Sequence, residues 1–107
     1  MNILVAGSTE WVDHETFGNA LTWAANQKEG IPTLFLVPAQ GAVALAKAFA
    51  DHHRWPVREF KTNQEAVDAR PDLVLAYPLP GSVSTWDCLR RANDARLNTH
   101  IVNARWK

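Results

Sequence analysis

The chain has 107 residues, with 11 basic and 11 acidic side chains and a formal net charge of +0. That length suits one domain, and the balanced charge argues against nucleic acid as a partner, because phosphate contacts usually demand a basic excess. A lone cysteine, Cys88, excludes an internal disulfide and fits a reducing compartment. The first apolar run, Ile3 to Ala6, is too short for a membrane span or a secretory signal and lacks a basic flank. The expectation is therefore a cytoplasmic protein with no membrane partner. A domain this small removes only roughly 60–70% of its unfolded surface from water, so it needs a dense core or a partner. The tryptophans, Trp11, Trp23, Trp55, Trp86 and Trp106, are expected at a core edge, a pocket or an interface.

In chain order, Asn2 to Ala6 reads as a buried strand that ends at Gly7. Asp13 can cap the next helix, where Phe17, Ala20, Leu21 and Ala24 share one face. Gly30 and Pro32 stop it. Thr33 to Val37 is a second continuous apolar run, the pattern of a parallel strand covered on both faces. A turn at Pro38 to Gly41 leads into a helix carrying Ala42, Leu45, Ala46 and Phe49, which runs to about His53. Pro56 to Phe60 is less apolar and reads as an edge strand. Thr62 to Glu65 matches a capping box, which predicts a short helix to about Ala69. Pro71 breaks that helix, and Asp72 to Tyr77 follows as the most apolar strand. After a loop from Pro78 to Ser84, a helix carries Cys88, Leu89, Ala92 and Ala95, and Thr99 to Asn103 is the last strand. This alternation predicts an α/β fold, a Rossmann-like three-layer sandwich of helices on both faces of a five-stranded parallel sheet. The predicted strand order is 3-2-1-4-5, with the two most apolar strands side by side in the middle.

Ligands of such sheets bind beyond the carboxyl ends of the strands. Three loops leave those ends: Gly7 to Trp11, Pro38 to Gly41, and Pro78 to Thr85. The third brings glycine, serine and threonine to a helix start, where free amide donors and the positive end of the helix dipole favour an anion. Ser84 with Asp87 three residues on also reads as an ordinary helix cap.

The run Leu73 to Pro78 followed by Gly81-Ser82-Val83-Ser84-Thr85-Trp86-Asp87 resembles the signature of the SLOG superfamily, an apolar strand and then Pro-Gly-Gly-x-Gly-Thr opening a helix. That group includes the LOG enzymes, the Smf proteins and many small nucleotide-binding domains. Ile3 to Trp11, with Gly7-Ser8, is similar to the family's first strand and turn, and Ala39 to Ala42 to its second glycine motif. The resemblance is greatest to short single-domain members from bacteria and phages. It implies a Rossmann-like fold and a nucleotide or ADP-ribose-type ligand. On the matching positions it implies ligand contacts at Gly7, Ser8, Gly41, Gly81, Ser82, Ser84 and Thr85, with a phosphate or pyrophosphate over the turn Gly81 to Thr85.

The chain also departs from the family. Ser84 stands where the motif has glycine, Leu79 and Pro80 interrupt the glycine pair, Gln40 stands for an arginine and Val43 for an aspartate. The segment between Phe60 and Pro71 is shorter. Cys88 occupies the position of the catalytic glutamate of LOG-type enzymes, and Asp87, about 100° around the helix, is no simple substitute. The first expectation is thus a non-catalytic module without cofactor that senses a nucleotide or ADP-ribose-derived signal, or sequesters one in phage–host defence. The alternatives are a LOG-type nucleotide N-glycosidase using Asp87 or Glu10, and a protein-binding inhibitor on the same fold. A homo-oligomer, most simply a twofold dimer with Trp23 or Trp55 at its contact, is also expected.

Other residues have plainer readings. His52 and His53 are adjacent on a helix and point apart, and no Cys/His spacing matches a zinc site, so no metal is expected. Glu10 can meet a ribose hydroxyl or stay a solvated loop acid. Cys88 reads as core more readily than as a reactive thiol. Arg90 and Arg91 suit a helix surface, and Trp11 and Trp86 can stack on a base, seal a pocket or meet a partner.

Overall fold

Alternating apolar runs and amphipathic helices become nine elements in the computed structural model, which describes residues 1–103. The expectation attached to Trp106 lies outside the described residues. In chain order they are β1 (Asn2–Gly7), α1 (His14–Ala25), β2 (Thr33–Leu36), α2 (Ala42–His53), β3 (Val57–Glu59), α3 (Asn63–Asp68), β4 (Leu73–Tyr77), α4 (Val83–Asp94) and β5 (Thr99–Ile101). All strand pairs are parallel and the order is β3-β2-β1-β4-β5, as the hydrophobic pattern predicts. The central pair sets Ile3 against Leu73 and Gly7 against Tyr77.

Successive side chains of a strand point to opposite faces, and this divides the core in two. Ile3, Val5, Leu75 and Tyr77 join Phe17 and Leu21 of α1 and Ala46 and Ala50 of α2 on one face. Leu4, Ala6 and Val74 join Ala66 and Val67 of α3 and Cys88 and Ala92 of α4 on the other. Every residue of β4 is buried. Each fully buried leucine or isoleucine contributes roughly 1.5–3 kcal/mol, so the middle of the sheet anchors the fold. Tyr77 brings a polar atom into that core, and its hydroxyl donates to the Phe17 carbonyl at 3.1 Å. The same ring stacks on Phe17 at 4.5 Å and meets the edge of Trp11 at 5.2 Å.

Local signals set the helix starts. The Asp13 carboxylate accepts from Thr16 N at 3.0 Å, and Thr62 Oγ1 accepts from Glu65 N at 3.2 Å. Glu65 reaches back past the cap and accepts from Lys61 N at 3.0 Å, one residue before the N-cap N–H that a capping box uses. The edge strands are shorter than the patterns suggest. β3 and β5 have three residues each, with two of the three exposed. No helix among the described residues is long and apolar enough to cross a membrane.

Candidate functional site

Because β1 and β4 are paired in register, the loops that follow them leave the same edge of the sheet side by side. A cleft of about 530 Å³ opens between them, lined by Gly7 to Glu10 on one wall and Leu79 to Thr85 on the other. Small-molecule sites typically measure about 300–1,000 Å³. A narrower recess of about 120 Å³ continues from it past Thr9, Ser84 and Thr85 toward Ala39 and Asn63.

The β4–α4 wall is a tight turn. Ser82 N donates to Leu79 O at 3.0 Å, Ser82 Oγ accepts from Leu79 N at 3.0 Å, and Val83 N donates to Gly81 O at 2.9 Å. The turn needs a positive φ at one place, 84° at Gly81. Ser84 has no such demand, so serine in place of the motif glycine carries no backbone strain. The helix also begins earlier than the loop expected through Ser84. Ser82 is the N-cap, and Ser84 and Thr85 lie in the first turn. Asp87 therefore makes no capping pair with Ser84.

Ser82 makes no side-chain cap, its hydroxyl being drawn back to Leu79. The backbone N–H groups of Ser84 and Thr85 donate to no other group among the described residues. Thr85 is only 3% exposed, and its hydroxyl also makes no hydrogen bond among the described residues. No described side-chain polar atom is both sealed off and unpartnered. The small exposed part of Thr85 thus includes its hydroxyl, and it opens on the space that Thr85 lines. Helix amides in this position carry partial positive charge and attract anions.

The opposite wall is held by Ser8. Its N–H donates to Tyr77 O at 2.9 Å, its carbonyl accepts from Ala42 N at 3.0 Å, and its hydroxyl accepts from Glu10 N at 3.0 Å. Ser8 is buried, and its hydroxyl shapes the turn that presents Glu10. Glu10 is exposed, and its carboxylate pairs with no described residue. It is the one charged side chain among the described residues that line the cleft. Gly7 lines the cleft and packs against Ala42. Gly41 does not line it. It stands behind the wall at φ 67°, where a Cβ would run into the backbone of Ser8 and Thr9. The structure thus brings Gly7, Ser8, Gly81, Ser82, Ser84 and Thr85 together and places Gly41 as their support.

Asn63, which sequence reasoning passed over, closes the inner end. Its Nδ2 donates to Ser84 O at 3.0 Å, Ser84 Oγ at 3.3 Å and Asp87 Oδ2 at 3.2 Å. The signal was its place at a helix start after β3, on the ligand-binding edge of a parallel sheet. Asp87 also takes Arg91 at 2.8 Å and Arg90 at 2.9 Å. The Arg91 and Asn63 hydrogen bonds, with help from Arg90, hold its carboxyl down at about 2. Arg91 is further tied to Gln64 at 2.6 Å. Burial, reinforced by the Asp87 charge, pushes the Cys88 thiol up to about 11, so it is a core thiol.

Trp11 is 2% exposed and its Nε1 donates to Asp13 O at 3.0 Å. It belongs to the core beside Tyr77 and lines neither the cleft nor its recess. Trp86 is exposed on the first turn of α4, and Trp23 is exposed with its ring on His100 at 4.5 Å. Trp55 is half-buried between Phe49 and His53. No three His, Cys, Asp or Glu side chains among the described residues are placed to hold a metal. No protein-family model matches the chain, and no curated protein or solved structure matches it.

Proposed function

We propose that the protein binds a nucleotide or ADP-ribose-derived molecule in the cleft between the β1–α1 and β4–α4 loops, without transforming it. The observation that carries this reading is the convergence of Ser84 N–H, Thr85 N–H and the Thr85 hydroxyl on one cleft, all without partners among the described residues. The resemblance of Gly81 to Thr85 to the SLOG phosphate turn supports it, as does the place of the cleft beyond the carboxyl ends of the central strands. The glycosidase reading loses one of its two candidate acids, Asp87, and keeps only Glu10, on the wall opposite the phosphate turn. A general acid works best with a pKa near the operating pH, whereas Asp87 is held at about 2 by Arg91 and Asn63. Cys88 is a buried thiol. Binding alone suits a sensor or a cytoplasmic sponge for a signalling nucleotide, including one used in phage–host defence.

A second reading is favoured by one feature. Val83 is 80% exposed and Trp86 48% exposed on the first turn of α4, an apolar rim suited to a protein target. Mass spectrometry of small molecules released from purified, denatured protein separates the two. Binding of a nucleotide requires a phosphate-bearing compound near one per chain, lost in Gly81→Glu. Recovery of none, with the chain fully folded, favours the inhibitor reading. The exposed Trp23 also fits a homodimer contact, and light scattering at micromolar concentration should return twice the chain mass. The monomer mass alone rejects the dimer.

A further inference from the structure

The two walls of the cleft ask for opposite things. The α4 wall offers donors: the N–H groups of Ser84 and Thr85 and the hydroxyl of Thr85, a residue only 3% exposed, none satisfied by a described residue. The β1–α1 wall offers an acceptor, the Glu10 carboxylate, which no described cation or donor engages. An ionised carboxylate only accepts hydrogen bonds. A ligand that satisfies both walls carries an anion at one end and hydroxyl donors at the other.

Resting on the nucleotide-binding reading above, we propose that Glu10 is the specificity residue of the site and reads the 2- and 3-hydroxyls of a ribose whose 5-phosphate sits on the first turn of α4. The two ends of a ribose 5-phosphate lie on opposite sides of one sugar ring, as the two walls lie on opposite sides of one cleft. Glu10 is placed for this by its backbone, since Ser8 Oγ accepts its N–H at 3.0 Å and Ser8 is itself fixed to Tyr77 and Ala42. The loop is therefore set before a ligand arrives. The diol contact also accounts for a negative wall at an anion site. The carboxylate repels inorganic phosphate or sulfate lying alone in the cleft, and its cost is recovered only by a ligand that brings the diol. The cleft should take ribosyl phosphates and discriminate against deoxyribosyl phosphates and simple anions.

The test is a nuclear magnetic resonance titration of the full chain, following the Ser84 and Thr85 amide signals. The probes are ribose 5-phosphate, 2-deoxyribose 5-phosphate and inorganic phosphate, each added to wild type and to Glu10→Gln. Ribose 5-phosphate should shift both amides in wild type, and 2-deoxyribose 5-phosphate should bind about tenfold more weakly, the loss expected for one hydrogen bond to a charged group. In Glu10→Gln the preference for ribose 5-phosphate should shrink, because an amide oxygen accepts more weakly than a carboxylate, and inorganic phosphate should bind more tightly than to wild type. Equal binding of the two sugars to wild type, or unchanged discrimination in Glu10→Gln, overturns the role of Glu10 and leaves the anion site standing. If no probe moves either amide, the site reading falls and this inference falls with it.

Discussion

Asn63 Nδ2 lies 3.0 Å from the carbonyl oxygen of Ser84, joining the start of α3 to the first turn of α4 across 21 residues of chain. The same amide reaches Asp87 at 3.2 Å. One side chain thereby fixes the helix turn that lines the cleft. Asn63→Ala removes these bonds, which lie at a half-open edge, and a hydrogen bond of this kind contributes about 0.5–1.5 kcal/mol. Urea unfolding should show a loss of about 1 kcal/mol, and exchange of the Trp86 amide, which donates to Ser82 O in this turn, should quicken. Unchanged exchange there would show that the turn holds without α3.

The carboxyl of Asp87 should titrate near 2, below the usual 3.8, because Arg91 and Asn63 bond its ionised form. A folded pKa below the unfolded one means that stability from this group is fully present above about pH 4. It is lost as pH falls toward 2. The carboxyl carbon resonance of Asp87 checks this directly. Arg91→Gln should move the midpoint up toward the usual value. A midpoint already at the usual value in wild type would mean that the clamp is not formed in solution.

Gly41 and Gly81 both have positive φ but differ in surroundings. At Gly41 an added Cβ meets the Ser8 and Thr9 backbone, while at Gly81 it meets nothing within 4 Å. A left-handed conformation costs an ordinary residue roughly 1–2 kcal/mol, and forced overpacking adds about 1–3 kcal/mol. Gly41→Ala should therefore lose about 3 kcal/mol and Gly81→Ala about 1–2 kcal/mol in thermal or urea unfolding. Similar losses at both positions would mean that the Gly41 contact with the β1–α1 loop relaxes easily.

Much of this architecture was legible in the sequence because it depends on local patterning. The unbroken run Leu73 to Tyr77 marks a strand buried on both faces, and the structure places it beside β1 with all five residues buried. The Asp13 and Thr62 caps are likewise short-range. The start of α4 was not legible, since Ser82, Ser84 and Thr85 are all plausible caps. The choice falls to the bond between Ser82 Oγ and Leu79 N, which takes shape only once the turn closes. Asn63 was hidden for a different reason. Its role depends on α3 and α4 lying together on one face of the sheet, a consequence of crossover topology that no local window contains. Trp11 looked like a pocket residue because aromatic rings serve both cores and clefts. Its burial follows from the edge contact with Tyr77, whose residue lies 66 positions away on β4.

The most direct measurement is calorimetric titration of wild type and Gly81→Glu with ADP-ribose and related ribonucleotides. Glutamate at Gly81 puts bulk and negative charge at the mouth of the donor wall. The open space around that position should leave the sheet folded, which circular dichroism verifies. Wild type should bind at least one of these ligands with one site per chain, and Gly81→Glu should bind none. Binding by neither protein, or equal binding by both, would contradict a nucleotide site at the first turn of α4.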